Sequence, residues 1–395
     1  MKKATGKKSA GSYRVLVFGG SFDPPHKCHM ELLEKAITEF RPDKTLVFPA
    51  FHSPLKSGAA ASPAHRVAML KLALSGCGLA RRTEIDLFEM KRGRKTYTYE
   101  VLRHVKARFP GAEVFLLMGS DSAATLPRWK RPSELASGAV IAVGRRGSGE
   151  KISSLPGGFS YRQVPGVFPN ISSTSARREM LSDGEIPQEV PRRVREYIER
   201  NGLYAQNMHR WLRENLSPKR YRHTVEVARL AQQMALRWGQ NHNDAAIAAL
   251  LHDAGKKWDA DELAARARPL RRQIPYFSQI TRYQPGILHA YVSASLARRL
   301  FGISSPAILS AIENHTLGSA RMTRLEKILY LADISSEDRN FDEATDIRRT
   351  AFENMDEALF MAAKVKLRYV FKSDKWLCPR GIELWNQLVK RRKAK

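Results

Sequence analysis

The chain has 395 residues, and its 67 Lys+Arg against 39 Asp+Glu give a formal net charge of +28. This length predicts two or more domains, and the charge favours polyanionic partners, either nucleotide phosphates or nucleic acid. The sequence contains no apolar run long enough for a membrane span or an export signal, and its three cysteines form no CxxC pair, so we expect a cytoplasmic protein without disulfides.

The first half of the chain alternates short apolar runs with amphipathic helical stretches. The predicted strands are "RVLVFGG", "KTLVFPA", "EVFLLMGS" and "GAVIAVG", and the predicted helices are Met30–Phe40, His65–Leu74 and Tyr99–Phe109. This alternation predicts a doubly wound parallel α/β sheet, in which ligands bind beyond the carboxyl ends of the strands. The loops after the strands are therefore the candidate binding segments.

The second half has apolar residues at helical spacing and no strand-like runs. The helical pattern is clearest in Val225–Trp238, Ala245–His252, Ala290–Phe301 and Ile308–His315. We therefore predict an α/β domain at residues 13–205 and an all-α domain at residues 206–395. The basic tail 1–12 and the basic end "KRRKAK" lack apolar periodicity and are expected to be disordered.

The motif "GGSFDPPHKCH", residues 19–29, directly follows the first predicted strand. Two glycines there allow the backbone to approach a phosphate, and the helix that follows offers unpaired N–H donors. His26 and His29 lie on one face of that helix, at i and i+3. A lone pair of this kind is more often a helix cap or part of a core, but the glycines and the preceding strand favour a phosphate site.

A second motif, "ISSTSARR" at residues 171–178, combines a hydroxyl-rich helix start with an arginine. Alone, such a string is more often a simple helix cap. Hydroxyl groups, helix N–H groups and a guanidinium can together hold a triphosphate, however. The two motifs therefore point to one phosphate-binding site.

Together these motifs resemble the HxGH and ISSTxxR signatures of the nucleotidyltransferase superfamily. More narrowly, "SPLK", "YTYEVL", "MGSDSAATLPRW" and "VPRRVREYIERNGLY" occur in the order found in bacterial nicotinate-mononucleotide adenylyltransferases, so the resemblance spans residues 13–204. It implies attack of the nicotinate mononucleotide phosphate on the α-phosphorus of ATP, with magnesium on the phosphates and release of pyrophosphate.

The resemblance also implies roles for particular residues. ATP would be bound by Gly19, Gly20, Ser21, Phe22, His26, His29, Ser172, Ser173, Thr174 and Arg177, with His26 and His29 as the catalytic pair. Nicotinate mononucleotide would be bound by Lys56, Thr98, Gly119, Asp121 and Trp129. The sequence departs from the family at Cys28, which replaces the glycine of HxGH and could crowd the nucleotide. An impaired transferase that acts as a nucleotide sensor is therefore an alternative.

Six potential metal ligands stand in or beside apolar helical segments of the second half: His223, His252, Asp253, His289, His315 and Asp333. An uncompensated imidazole or carboxylate is costly to bury, and a shared metal removes that cost. Nitrogen and oxygen ligands without cysteine suit iron, manganese or magnesium more than a structural zinc site. Any one of these histidines is more often a hydrogen-bonded core residue, but six such residues predict a metal centre.

This H…HD…D pattern resembles the HD superfamily of metal-dependent phosphohydrolases. More narrowly, residues 208–390 resemble the bacterial HD-domain hydrolases that cleave diadenosine tetraphosphate symmetrically to two ADP. The resemblance implies a di-metal centre of iron, with manganese or another divalent ion as alternatives, and a catalytic role for Asp253. Lys256 and Arg339 would contact the polyphosphate, although an exposed basic residue on a solvated face is the alternative.

The sequence as a whole predicts a fusion of two nucleotide enzymes whose substrates are ATP, nicotinate mononucleotide and diadenosine tetraphosphate. A rival hypothesis makes the basic helical half a regulatory module that binds nucleic acid or ribosomes through its basic surface. The complete set of candidate ligands argues against that rival. The oligomeric state is not predicted.

Overall fold

The computed structural model of the protein describes residues 13–51, 61–147, 155 and 158–393. The chain forms two compact units, the first made of Met1–Arg177 and Ile186–Tyr204 and the second of Arg178–Glu185 and Ala205–Lys395. The predicted domain boundary after residue 205 stays a prediction. The predicted tail 1–12 and Lys56 lie outside the described residues.

A parallel sheet forms the centre of the first unit, with six strands in the part of the chain that the structure describes. The strands are β1 (Arg14–Gly20), β2 (Lys44–Pro49), β3 (Glu84–Ile85), β4 (Glu113–Gly119), β5 (Val140–Arg146) and β6 (Tyr161–Phe168). All neighbours pair in parallel in the order β3-β2-β1-β4-β5-β6. The prediction of a doubly wound α/β fold is confirmed, and four of the six strands match the predicted runs.

The strand order reverses between β1 and β4, and this is the point where a crevice opens in such sheets. Both strands are almost fully buried because their residues are apolar on both faces, and Leu16 of β1 pairs with Phe115 of β4. The carboxyl end of β1 leads directly into the first sequence motif. The fold thus places that motif at the expected ligand-binding edge.

Helices connect the strands of this unit. They are α1 (Lys27–Phe40), α2 (Pro63–Gly76), α3 (Phe88–Arg92), α4 (Thr98–Arg108), α5 (Ser120–Ala123), α6 (Pro132–Gly138), α7 (Ser173–Asp183) and α8 (Arg192–Arg200). The three predicted helices correspond to α1, α2 and α4. The second motif begins α7, where the Ser172 hydroxyl accepts a hydrogen bond from the Ser175 backbone N–H at 3.0 Å, as an N-cap does.

In the described residues of the second unit, all regular secondary structure is helical, as predicted. Its helices are α9 (Gln206–Asn215), α10 (Pro218–Arg237), α11 (His242–Leu251), α12 (Ala260–Ala267), α13 (Phe277–Tyr283), α14 (His289–Phe301), α15 (Pro306–Asn314), α16 (Arg324–Ser335), α17 (Ala344–Glu353), α18 (Met355–Lys372) and α19 (Pro379–Lys393). The expectation of disorder at the basic end is wrong for residues 390–393. They continue α19, whose Leu384 and Leu388 are buried in the main core.

Small side chains let the central helices of this unit approach closely. The α11 segment contributes Ala245, Ala246, Ala248 and Ala249 to the core, all with no exposed surface. The close packing of α11 against its neighbours fixes the position of the end of that helix. His252 and Asp253, two of the predicted metal ligands, directly follow it. None of the helices in the described ranges has the length and apolar character needed to cross a membrane.

Candidate functional site

The loop after β1 is held by the start of α7, so the two phosphate-binding motifs meet. The Ser173 hydroxyl donates to the Pro24 carbonyl at 2.9 Å, and the Arg177 guanidinium donates to the Asp23 carbonyl at 2.6 Å. Ser173 is buried and Thr174 is half-buried in the same first turn. Residues separated by about 150 positions in sequence therefore form one structure at the carboxyl edge of the sheet.

Asp23 is a second organising group of this loop, and the sequence motifs did not single it out. Its carboxylate is 1% exposed and accepts hydrogen bonds from the Tyr204 hydroxyl at 2.6 Å and the Ala61 N–H at 3.2 Å. Burial and the adjacent Asp23 carboxylate raise the pKa of Tyr204. The Tyr204 hydroxyl therefore keeps its proton and acts as a donor to Asp23.

The two motif histidines stack at the start of α1. Their ring centroids lie 3.6 Å apart, and the His26 backbone N–H donates to His29 Nδ1 at 3.2 Å. His26 is fully buried, whereas His29 is half-buried and packs its ring against Phe22. His29 is therefore the more accessible of the pair in this structure.

Phe22 and Cys28 are both interior residues. Phe22 is fully buried, with its ring against Gly20, where an added Cβ would come within 3.0 Å of that ring. This close approach explains why a glycine is needed at the end of β1. Cys28 is also fully buried, on the inner face of α1. It presents no surface to a ligand, so the structure gives no support to the expectation that it crowds a nucleotide.

A pocket of about 400 Å³ opens beside the loop after β1. Among its lining residues are the predicted Gly19, Gly20, Ser21, Thr98 and Trp129, together with Glu89, Lys95, Thr96, Tyr97 and Thr125. The Trp129 indole N–H donates to the Thr125 hydroxyl at 2.9 Å, which fixes the plane of the ring. Gly119 is buried at the end of β4 and Asp121 is exposed, and neither lines this pocket.

Two buried charged residues support this pocket and were missed by sequence reasoning. Arg66 is 1% exposed, and its guanidinium donates to four backbone carbonyls, those of Ser21, Ala50, Phe51 and Ala61. Glu89 is 6% exposed, and burial raises its pKa to about 7. In a sequence, one arginine or glutamate in an amphipathic stretch looks like a solvated residue, so neither gave a signal.

In the second unit, all six predicted metal ligands lie together. His223 comes from α10, His252 and Asp253 from the end of α11, His289 from the start of α14, His315 from the end of α15, and Asp333 from α16. His289 Nε2 lies 3.2 Å from Asp253 Oδ1, and His315 Nε2 lies 3.7 Å from the same oxygen. His252 Nε2 lies 3.6 Å from Asp253 Oδ2. Asp253 therefore stands between two groups of histidines.

The four histidines are oriented in the same way, with Nε2 towards the carboxylates and Nδ1 bonded elsewhere. Nδ1 of His252, His289 and His315 donates to the backbone carbonyl three residues earlier, at 2.6, 2.5 and 2.7 Å. His223 Nδ1 donates to Asp338 at 2.8 Å. In a neutral imidazole, an Nδ1–H bonded to an oxygen fixes the tautomer and leaves Nε2 as the ligand atom, which is the usual arrangement around a bound metal.

The donor atoms fit one or two divalent cations. Two groups of three ligand atoms each lie within 4.8 Å of one another: His223, His252 and Asp253, and Asp253, His289 and His315. His252 Nε2 is buried without a hydrogen-bond partner, and His289 Nε2 lies 3.0 Å from His315 Nε2. Two imidazole lone pairs that face each other at this distance repel, and a shared cation removes the repulsion.

Electrostatics favour the charge states that ligation needs at most of these positions. Burial lowers the pKa of His252 to about 3 and that of His289 to about 4, so both rings are neutral at pH 7. At His223, burial is outweighed by the hydrogen bonds to Asp333 and Asp338, which raise its pKa to about 9.

A pocket of about 350 Å³ adjoins these ligands and carries four basic residues in its lining: Arg220, Lys256, Arg339 and Lys366. Arg220 lies 2.7 Å from Asp253, and Arg339 lies 2.5 Å from Asp333. The Lys366 ammonium donates to the carbonyls of His315 and Thr316. Sequence reasoning named Lys256 and Arg339 but missed Arg220, Lys366 and Asp338, which look like ordinary charged residues of amphipathic helices and loops.

Comparison with known proteins finds one family match in each half of the chain. Residues 17–179 match the model of the cytidylyltransferase-like family, and residues 220–338 match that of the HD domain. An HD domain implies a divalent metal, and the histidine and aspartate cluster is a site that could hold one.

Two curated relatives and one solved structure are among the similar proteins. A Mycoplasma genitalium protein named "Probable nicotinate-nucleotide adenylyltransferase/Ap4A hydrolase" is 27% identical over 81% of this chain and 86% of its own length. A "Probable nicotinate-nucleotide adenylyltransferase" of Chlorobaculum tepidum is 34% identical over 49% of this chain and 99% of its own. A crystal structure of a predicted HD superfamily hydrolase involved in NAD metabolism from Clostridium acetobutylicum is 29% identical, covers 47% of this chain and 97% of its own, and has a TM-score of 0.45. The chain therefore belongs to the nicotinate-nucleotide adenylyltransferase family, and it carries an HD domain in the same polypeptide.

Proposed function

We propose that the first unit transfers AMP from ATP to nicotinate mononucleotide. The observation that carries this proposal is the loop after β1, which Ser173 and Arg177 of α7 hold beside a pocket lined by Thr98 and Trp129. A phosphate-binding loop and an aromatic pocket thus adjoin at the switch point of the sheet. The names of the relatives support the same substrate.

The reaction needs positioning and charge stabilisation rather than a covalent enzyme intermediate. An oxygen of the nicotinate mononucleotide phosphate bonds to the α-phosphorus of ATP. The bond from that phosphorus to the oxygen that bridges to the β-phosphate breaks, and pyrophosphate leaves with the electron pair. Magnesium on the ATP phosphates would supply further neutralisation of charge.

The assignment of residues to the two substrates is part of the proposal. ATP binds Gly19, Gly20, Ser21, Phe22, His26, His29, Ser172, Ser173, Thr174 and Arg177, and nicotinate mononucleotide binds Lys56, Thr98, Gly119, Asp121 and Trp129. His29 is half-buried, whereas His26 and Phe22 are fully buried and would act through backbone groups or after a local shift. Trp129 presents a fixed ring on which a pyridine can pack.

Release of pyrophosphate from ATP and nicotinate mononucleotide tests the transferase proposal. We expect the wild-type protein to be active, His29→Ala to lose at least tenfold in kcat/KM, and Cys28→Gly to match the wild type because Cys28 is buried. Activity in Cys28→Gly but not in the wild type would instead support the nucleotide-sensor alternative. Replacing nicotinate mononucleotide by nicotinamide mononucleotide in the same assay measures the base preference.

We propose that the second unit hydrolyses diadenosine tetraphosphate symmetrically to two ADP at a di-metal centre. The observation that carries this proposal is the set of four histidines that direct Nε2 towards Asp253 and Asp333 beside a basic pocket. Two metal ions in such a site supply Lewis-acid activation of a water and of phosphoryl oxygens. Support for this substrate comes from the Mycoplasma relative, whose name pairs both activities in one chain.

The protein's own residues divide the work in this proposed reaction. His223, His252, Asp253 and Asp333 form one ligand group, and His289 and His315 complete a second group that shares Asp253. A water oxygen bonds to one of the two central phosphorus atoms, and the bridging oxygen leaves with the other ADP. Arg220 and Lys256, in the pocket beside the ligands, would neutralise phosphate charge, as would Arg339.

The hydrolase proposal is tested by ADP release and by metal analysis of the purified protein. We expect iron, manganese or another divalent ion to be bound, and Asp253→Asn to lose both the metal and the hydrolysis while pyrophosphate release by the first unit continues. If diadenosine tetraphosphate is not cleaved with any of these ions, the substrate assignment fails. Binding of RNA that survives Asp253→Asn would favour the regulatory alternative.

The domain division at residues 13–205 and 206–395 and a cytoplasmic location belong to the same proposal. ATP as a substrate supports that location.

A further inference from the structure

The pocket beside the HD ligands is lined by two chemically different sets of residues. One set consists of the predicted metal ligands and the basic residues already described. The other set, the apolar wall, includes Ile287, Leu317, Leu367, Val370, Trp376 and Leu377. A polyphosphate chain alone gains nothing from apolar surface, because the hydrophobic effect rewards only the burial of apolar groups. The apolar wall therefore indicates that part of the ligand is apolar.

One face of α18 forms part of this apolar wall. The pocket-lining residues of α18 include Ala363, Lys366, Leu367 and Val370, which are spaced as i, i+3, i+4 and i+7 and so share one side of a helix. Lys366 points its ammonium to the carbonyls of His315 and Thr316. The same helix face thus contacts the segment of the predicted ligand His315 and contributes apolar side chains to the pocket lining.

Trp376 follows α18 and is the tryptophan of this wall. It is half-buried, because it packs against the cluster that contains Leu288, Tyr291 and Cys378. The ring of Tyr283 lies 5.7 Å from its ring at 30°. The indole is therefore supported by protein on one side while it lines the pocket on another. A planar aromatic group held in this way is a stacking surface for a nucleobase.

We propose that Trp376 stacks on one nucleobase of the substrate and makes the hydrolase site selective for nucleoside polyphosphates over polyphosphates without a base. This inference rests on the proposed hydrolase function. The pocket volume of about 350 Å³ is at the lower end of the range for small-molecule sites, which matches one nucleoside end of a dinucleotide rather than both. Trp376 is thus a specificity-determining residue of the site.

The test compares Trp376→Leu with the wild type on two substrates in the presence of Mn²⁺. Diadenosine tetraphosphate and inorganic tetraphosphate both contain a central phosphoanhydride bond, but only the first carries bases. We expect Trp376→Leu to lower kcat/KM for diadenosine tetraphosphate by roughly 5- to 150-fold, mainly through KM, because stacking of a base on an aromatic ring contributes about 1–3 kcal/mol. Hydrolysis of tetraphosphate should change by less than about twofold, and Trp376→Phe should restore most of the loss.

Phe371→Leu is the matched control. Phe371 is 65% exposed, lies five positions away in the chain, and does not line the described part of the pocket. An equal loss on both substrates in Trp376→Leu would mean a structural role and would overturn the inference, as would unchanged kinetics.

Calorimetric binding of ADP with Mn²⁺ separates this inference from the proposed function. If the wild type does not cleave diadenosine tetraphosphate, weaker ADP binding by Trp376→Leu still supports the stacking role, whereas equal binding refutes it.

Discussion

Glu89 should make the first unit less stable as pH rises, and Glu89→Gln should remove that dependence. Burial raises the pKa of Glu89 from 4.5 to about 7. The folded protein therefore holds this proton more tightly than the unfolded chain does. The contribution of Glu89 to the free energy of unfolding of the first unit is most favourable below pH 4.5, falls as pH rises from 4.5 to 7, and is constant above pH 7. At about 1.4 kcal/mol for each pKa unit, the total change is about 3 kcal/mol.

The assay is a urea titration of the full chain at pH 5, 6, 7 and 8, read by pulsed deuterium labelling and mass spectrometry. Peptides from β1 and β4 report the first unit, and peptides from α10 and α16 report the second. We expect the stability of Glu89→Gln minus that of the wild type to increase by about 2.5 kcal/mol between pH 5 and 8 for the first unit, and to stay near zero for the second. Parallel pH curves for the two proteins in β1 and β4 would show that Glu89 titrates normally and that the reasoning is wrong.

Three further outcomes are expected. Burial lowers the pKa of His209 to about 4, so the contribution of His209 to the stability of the second unit should be fully present above pH 6.5 and fall by about 3 kcal/mol as pH drops to 4, and a His209→Gln variant with the same acid profile as the wild type would contradict this. Gly144→Ala should destabilise the first unit by about 1–3 kcal/mol, because its Cβ would clash with the Leu32 side chain and crowd the Phe168 ring, whereas Gly76→Ala, with no atom within 4 Å, should not. Removal of metal by a chelator should abolish hydrolysis and lower the thermal midpoint of the second unit, reversibly on addition of Mn²⁺, and retention of full hydrolysis without metal would exclude the di-metal proposal.

The strands that sequence reasoning found differ physically from those it missed. Central strands of a parallel sheet are buried on both faces, so β1 and β4 are continuous apolar runs that are visible in the sequence. β6 is an edge strand with a mostly exposed pattern that contains Pro165 and Gly166, and its register shifts between Gly144 and Arg145 of β5. β3 has only two residues. Strands of these kinds have no composition that separates them from loops.

The candidate sites show a similar limit. The six metal ligands could be predicted because imidazoles and carboxylates are unusual in apolar helices, and the structure brings them together. Arg220 and Lys366 could not be predicted, because long basic side chains are common on helix surfaces and only the fold turns these two towards the ligands. Trp376 gave no signal either, since its place in the pocket depends on packing against the cluster that contains Leu288, Tyr291 and Cys378.

Arg66 joins separate stretches of the first unit at one buried side chain. Its guanidinium donates to the carbonyls of Ser21 in the loop after β1, of Ala50 and Phe51 after β2, and of Ala61 just before α2. A lysine would keep the charge but has a single nitrogen and a different donor geometry, so it could not satisfy all four carbonyls. The arrangement of these stretches therefore depends on the shape of the guanidinium and not on its charge alone.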